Sequence, residues 1–444
     1  ADARGPQRPE LGFRPITTNA LPCSAKGTPA FAANEDGGAI TPKVLMSAGD
    51  AATPVNAPAT STRVGAENDM IALSPDGRYL FTSSEAGVSD GITRLALKGR
   101  DKGTKEVLAA NLPAWSRMDG MDWYPHGGPD GAGVLLGSEE FSAGGVWQID
   151  PLSGAFARLG WVGNYSHEGI AIAADGTLYL GDENRTGAIY KAVPNDPADL
   201  TAGGTLSYLV PTSVDPTGWK AVVDPTAAIA EASAGGAILF DRPEDFEGHD
   251  GRVYFTVTEP IADSGSRHGA AGQVVNRGGV YSMNTIGVPD LAQQSAAAAD
   301  HSLTPMIEVN DPKYSSAAQA KDQQGLQFPD NIAFDREGNL WVHEDIPDGA
   351  TFPASGVDVS KQVRDQQDEL YVFVLDKKGA AIVANPDSSG PGLSGGYKAA
   401  DMRSSVAATP CENEFTGGVF AKNGTTLYIN QQHADNPTLL VKFD

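Results

Sequence analysis

The chain has 444 residues, with 56 Asp and Glu against 32 Lys and Arg, a formal net charge of −24 and a pI near 4.6. This acid excess excludes a nucleic-acid binder, whose partner's phosphates need a basic face, and disfavours docking on an anionic membrane. No apolar stretch reaches the length of a membrane span.

In chain order, residues 1–62 are rich in Ala, Pro, Gly and Thr and read as an N-terminal wrapping segment. The opening ADARGPQRPE has neither an initiator Met nor an apolar leader, so the expectation is a mature export product, secreted or periplasmic, or a trimmed chain. From 63 to 444 one unit comes round six times: a polar turn on Asp-Gly, Glu-Gly or Asn-Gly, a short β-rich run, and a closing carboxylate. The copies are SPDGRYLFTSSE ending at Glu85, GPDGAGVLLGSEE at Glu139 and Glu140, AADGTLYLGDE at Asp182 and Glu183, HDGRVYFTVTE at Glu259, DREGNLWVHED at Glu344 and Asp345, and KNGTTLYINQQH. In the last copy Gln431, Gln432 and His433 replace the acid. Each of the six turns is also preceded by an acid: Asp69, Asp119, Glu168, Glu244, Asp330 and Glu414.

A strand–turn–strand unit is antiparallel, so its entry and exit lie at the same end. Each copy can therefore deliver two acids to one end of a hairpin. Hairpins arranged radially bring these carboxylates to one mouth, where they repel one another unless cations occupy the cluster. The recurrence predicts an all-β fold, a single six-bladed β-propeller over 63–444 with loop insertions. The insertion 195–238 reads as loops, and 288–326, with its AAAAD run, as holding a short helix. The stretch 349–369 reads as a loop beside the fifth acid tip, on the functional face. Tyr79, Tyr179, Tyr254, Trp341 and Tyr428 recur after the turns and are expected to pack the blades. Cys23 and Cys411, near opposite ends of the chain, are expected to form a disulfide.

Four segments carry a resemblance: SHEGIAIAADGTLYLGDEN (166–184), FDRPEDFEGHDGRVYFTVTEP (240–260), FPDNIAFDREGNLWVHED (328–345) and ENEFTGGVFAKNGTTLYINQQH (412–433). In order and combination they resemble the PhoX-type alkaline phosphatases, over roughly 65–444. The resemblance implies an exported propeller that holds calcium and iron on its axis and hydrolyses phosphate monoesters. Carried over motif by motif, it offers Glu168, Arg242 with Glu244, Asp330 with Asn331, Asp345, and Glu414. One position departs from the pattern. The family has Thr-Cys-Glu-Glu where this chain has Gly137-Ser138-Glu139-Glu140, so the cysteine that resembles an iron ligand is Ser138 here. A thiolate favours iron, whereas a neutral hydroxyl is a poor ligand. Calcium is accordingly the expected cation, more than one per chain, and iron is the part of the pattern this chain departs from.

Carboxylates with an Asn amide form a hard oxygen set suited to Ca²⁺, Mg²⁺ or Mn²⁺ rather than zinc. Any one of these acids is ordinarily a solvated turn carboxylate. Glu168, Glu244, Asp330 and Glu414 together recur at one position of the repeat, and with Asn331 they form the expected metal set. Glu139, Glu140, Glu183 and Asp345 are further candidates. Arg242 has two readings: a bridge between carboxylates, or a guanidinium that clamps a phosphoryl oxygen bidentately. His433, at the last tip, is a candidate catalytic residue, whereas alternation turns His167 into the core. No GxSxG nucleophile elbow is present. The leading expectation is a metal-dependent phosphoester hydrolase, monomeric, acting on a small molecule. The alternatives are a propeller lactonase or esterase with one axial calcium, which would have fewer converging acids and no essential arginine, and a non-catalytic propeller stabilised by calcium.

Overall fold

The six Gly-containing turns share one backbone device. Gly77, Gly131, Gly176, Gly251, Gly338 and Gly424 all have positive φ, between 65° and 86°, a region that glycine enters without steric cost. Side-chain caps tighten several of these turns: Asp76, Asp175 and Asn423 each accept the backbone N–H two residues on. The hairpin that follows is thereby fixed in register.

The computed structural model describes residues 13–14, 30–31, 33–34, 36–55, 62–85, 91–108, 117–128, 131–184, 186–258, 278–297, 303, 305–308, 326, 329–345, 369–375, 397–401, 414–432 and 437–443. The hairpins build six small sheets in a ring, a six-bladed β-propeller. The innermost strands are Asn68–Leu73, Met118–Tyr124, Ile170–Ile172, Pro243–His249, Pro329–Phe334 and Phe415–Phe420. Each pairs antiparallel with the strand after its turn. Neighbouring inner strands touch around the ring, and blade six returns to blade one.

Strands from both ends of the chain close the ring. Lys43–Met46 pairs with Thr438–Lys442 as the outer strand of blade six. Ala30–Phe31 adds to blade five, and Thr53–Pro54 runs parallel on the outer edge of blade one. The insertion 195–238 is not made of loops alone, as its sequence suggested. It contains two outer strands of blade three, Gly204–Leu209 and Trp219–Ala221, and the helix Ala228–Gly235. The Ala-rich run AAIAEASAGG favours helix, and Gly236 ends it in the left-handed conformation. The second insertion does carry a helix, Asp290–Ala297. The loop 349–368 and both cysteines lie outside the described residues.

The core lies between blades, because alternate residues of each strand face the blade on either side. Leu135 packs toward blade one and Leu136 toward blade three. Tyr179, Tyr254, Trp341 and Tyr428 each sit in one of these inter-blade clusters, as expected of packing residues. His167 is fully buried and its ring lies 3.7 Å from that of Tyr165. Burial holds its pKa down at about 3, so it is a neutral core residue.

Candidate functional site

The inner strands do more than form a barrel wall, because most begin with a register slip. In blade one Asn68 pairs with Ser84, and the next pair is Ile71 with Thr82, so Asp69 and Met70 form a bulge. The same slip brackets Asp119 in blade two, Glu244 in blade four and Asp330 in blade five. A bulge twists the strand and re-aims a side chain, and here the re-aimed side chain is an acid. In blade three Glu168 directly precedes the inner strand and its one-glycine link, Gly169.

Blade six departs from this scheme. Its slip falls at Gly417, which puts Thr416 where the other blades carry the acid. The tip hydrogen bonds give the same alignment. Glu85, Glu140, Glu183, Thr258 and Gln432 donate their N–H to the carbonyls of Glu67, Arg117, Ser166, Arg242 and Glu414. Glu414 thus stands where blades two and four carry arginine, two residues ahead of the usual acid. The expectation that Glu168, Glu244, Asp330 and Glu414 share one structural position is corrected for Glu414. Three residues at this forward position, Glu67, Arg117 and Arg242, have φ of 49°, 50° and 52°. Left-handed backbone costs a non-glycine residue about 1–2 kcal/mol, and such strain concentrates at functional sites.

The acids converge in three triads: Asp69, Glu85 and Asp119; Glu168, Glu183 and Glu244; Asp330, Asp345 and Glu414. Within each, one carboxylate oxygen from every member lies within 4.8 Å of the others. Each triad spans two blades. It takes the inner acid of both, with Glu414 from the forward position serving for blade six, and the tip acid of the odd-numbered one, so the site repeats every second blade. The triads also feel one another. Burial first, and then carboxylates of their own and of other triads, push Asp69, Asp119, Glu168 and Asp330 well above the usual range. Burial and Asp345 do the same to Glu414. Burial raises Glu244 only to about 7, because Arg242 opposes it.

Among the described residues two arginines edge the cluster. Arg242 donates through Nε to Glu183 Oε1 at 2.6 Å and stands 3.1 Å from Glu244 Oε1. Arg117 reaches Glu85 Oε1 at 2.7 Å and also contacts Glu140. Burial and a hydrogen bond with Glu85 push Glu140 up to about 12. Burial alone would raise Glu85 too, but Glu140, Arg117 and Gln432 outweigh it and hold Glu85 at about 2. Gln432 Nε2 donates to Glu85 at 2.6 Å and to Asp69 at 3.3 Å.

Most of the acids named from the sequence meet here: Glu168, Glu183, Glu244, Asp330, Asp345 and Glu414 are triad members. Others go elsewhere. Glu139 Oε2 accepts from Gly145 N–H and the Trp147 indole inside blade two. Asn331 Oδ1 accepts Gly417 N–H at 2.6 Å and ties blade five to blade six. Glu140 sits beside the first triad as a partner of Arg117. His433 and Glu259 lie outside the described residues. Sequence reasoning left the first triad out of the ligand set, although Asp69, Glu85 and Asp119 hold the same repeat positions, because those residues precede the motifs quoted for the resemblance. It missed Arg117 entirely. The available signal was its spacing: Arg117 precedes Asp119 as Arg242 precedes Glu244.

The donor set fits hard divalent cations. The triads offer only carboxylate oxygens, the ligands calcium takes. The buried Asp69 Oδ1, Asp119 Oδ1 and Glu244 Oε2 find no hydrogen-bond donor among the described residues. A buried carboxylate oxygen without a donor is costly unless a cation meets it. Iron held by sulfur does not fit. Ser138 takes the cysteine's place, and its Oγ donates to the Glu168 carbonyl at 2.9 Å. A Cβ on the adjacent Gly120 would lie 2.2 Å from Ser138 Oγ.

Comparison with known proteins bears on this geometry. A family model for alkaline phosphatase PhoX matches residues 138–435. Among solved structures, Pseudomonas fluorescens PhoX in complex with vanadate, a transition state analogue, is 17% identical and superposes with a TM-score of 0.59, covering 97% of this chain and 98% of that one. A gluconolactonase from Xanthomonas campestris is 14% identical with a TM-score of 0.47, covering 95% of this chain and 98% of the other. At 17% identity the likeness to that PhoX structure speaks to fold. No curated protein sequence matches the chain. The family match spans well over half of the residues, including two of the three triads, and the chain belongs to the PhoX alkaline phosphatase family.

Proposed function

We propose that this protein is a metal-dependent phosphoester hydrolase, with the three acid triads as holders of calcium-like cations and Arg242 as the phosphoryl clamp. The observation that carries this reading is the convergence of three carboxylate triads at one mouth, beside an arginine anchored through a single nitrogen. Bound cations would supply Lewis-acid polarisation of the phosphoryl group and of the attacking water. The chain's own residues do the rest. Glu183 holds Arg242 through Nε, and neither terminal amino group of that guanidinium hydrogen-bonds to protein among the described residues. That pair can grip two phosphoryl oxygens side by side, and it stabilises charge that grows as the ester bond breaks. The backbone before Glu244 is fixed by Pro243, so clamp and triad keep their spacing. Family membership supports phosphatase chemistry and the expectation of export, and no described helix is long and apolar enough to cross a membrane.

The test is elemental analysis of the purified protein, together with assays against an aryl phosphate, a bis-aryl phosphate and a lactone, with and without chelator. Bound divalent cation and chelator-sensitive phosphoesterase activity are expected. Hydrolysis of the lactone alone, or full phosphoesterase activity after the metals are gone, refutes the reading.

A further inference from the structure

The alignment of blades two and four puts two arginines, not one, at the mouth. Arg117 and Arg242 both sit two residues ahead of the bulged acid and both have a left-handed backbone. Both accept the N–H of their own blade's second-strand tip, Glu140 for Arg117 and Thr258 for Arg242. They serve one opening, because each directly precedes an inner strand, at the end where the entry and exit of its hairpin meet.

They differ in depth. The Arg242 side chain is 24% exposed, whereas that of Arg117 is 48% exposed. The carboxylates beneath Arg117 are far more buried, Glu85 at 14% and Glu140 at 11%. Both contacts use the same terminal nitrogen, Nη2. Among the described residues Arg117 is therefore held at one corner of its guanidinium, and about half of its side chain is open to solvent. An arginine needed only to neutralise those two acids would not need that open side.

We infer that Arg117 is a substrate-contacting residue, distinct from the phosphoryl clamp. It takes a second anionic group, carried on the leaving-group side of the ester. The preferred substrates are then phosphoesters whose leaving group bears a carboxylate or a further phosphate. This rests on the hydrolase reading above.

The probe pair is phenylphosphonate and a ring-carboxylated phenylphosphonate, titrated calorimetrically into the metal-loaded protein, with kcat and KM for the matching aryl phosphates. Wild type should bind the carboxylated ligand about tenfold more tightly, the scale of one charge-assisted hydrogen bond. In Arg117→Gln that ratio should fall toward one, with the kinetic change in KM rather than kcat. Arg117→Lys should keep part of the preference, since it retains charge without the fork. A ratio unchanged in Arg117→Gln, or no preference in wild type, overturns the inference. If Arg117→Gln sheds cations or melts early, Arg117→Lys with wild-type metal content decides on the same ratio. Should wild type bind the phosphonates with that preference yet hydrolyse no phosphate ester, the hydrolase reading fails while the arginine's role stands.

Discussion

Blades three and four and blades five and six solve the same problem in different ways. Both units gather three acids within 4.8 Å. In the first, the bulge carries Glu244 and the forward position carries Arg242. In the second, the bulge carries Thr416 and the forward position carries Glu414. One backbone place thus holds a guanidinium in one unit and a ligand carboxylate in the other. Arg242 offsets part of the charge of Glu168, Glu183 and Glu244 and holds Glu244 near 7, while burial and Asp345 drive Glu414 well above the usual carboxylate range. On the function proposed above, the unit over blades five and six would depend on its cation, and the unit over blades three and four would meet an anion.

Cation removal tests that contrast with the largest effect. Without metal, the triad carboxylates have folded-state pKa values raised above their unfolded ones. The folded protein then binds more protons than the unfolded chain above about pH 4, so stability falls as pH rises. Chelated protein should melt lower at pH 8 than at pH 5, by on the order of 10 °C, and added Ca²⁺ should restore the melt at pH 8. Scanning calorimetry over this range checks the sign. A chelated protein whose melt is flat with pH would mean that the triads carry no frustrated charge.

The two arginine-edged units are separated next. Arg242→Lys keeps the charge but loses the fork, and kcat/KM should fall about a hundredfold with metal content unchanged. Retained activity, or loss of metal, would make Arg242 a structural bridge between Glu183 and Glu244.

Much of this was legible in the sequence, for physical reasons. Turn glycines and period-two runs specify hairpins, and their sixfold recurrence specifies the ring. The tip acids were legible because the turn fixes how many residues separate them from it. The bulges were not, since a register slip leaves no residue signature, and the slip is what distinguishes Glu414 and Thr416 from Glu244. Glu139 and Glu140 show the limit most plainly. They are neighbours on a strand, so alternation sends one into the blade against Trp147 and the other to the mouth, and the motif alone treats them alike.

Glu139 set against a triad member gives a smaller test. Asp345→Asn removes a triad member, and elemental analysis should show about one cation equivalent lost. Glu139→Gln should leave the cation count intact and cost about 1–3 kcal/mol, through weakened bonds to Gly145 and Trp147. The reverse pattern would place Glu139 among the ligands and Asp345 outside them.

The smallest expected effect belongs to Ser138. Three even-numbered blades use the residue two before the tip to hold the backbone of the next blade's acid. Ser138 donates to the Glu168 carbonyl, Thr256 to that of Asp330, and Asn430 to that of Asp69. Three different side chains share one task, so the position asks for a donor of hydrogen bonds rather than for a metal ligand. Ser138→Ala removes one such bond. It should cost about 1 kcal/mol and lower the melting temperature by a few degrees. Glu168 stays in its triad, because Gly120 and Gly169 leave no room for its backbone to shift: a Cβ at either would strike its neighbours within 2.3 Å. Cation content should therefore match wild type, and kcat/KM should fall by less than about tenfold, less than one lost oxyanion-type donor costs. If Ser138→Ala instead loses a cation, the hydroxyl is a ligand after all, and the two-blade repeat would not explain why serine stands there.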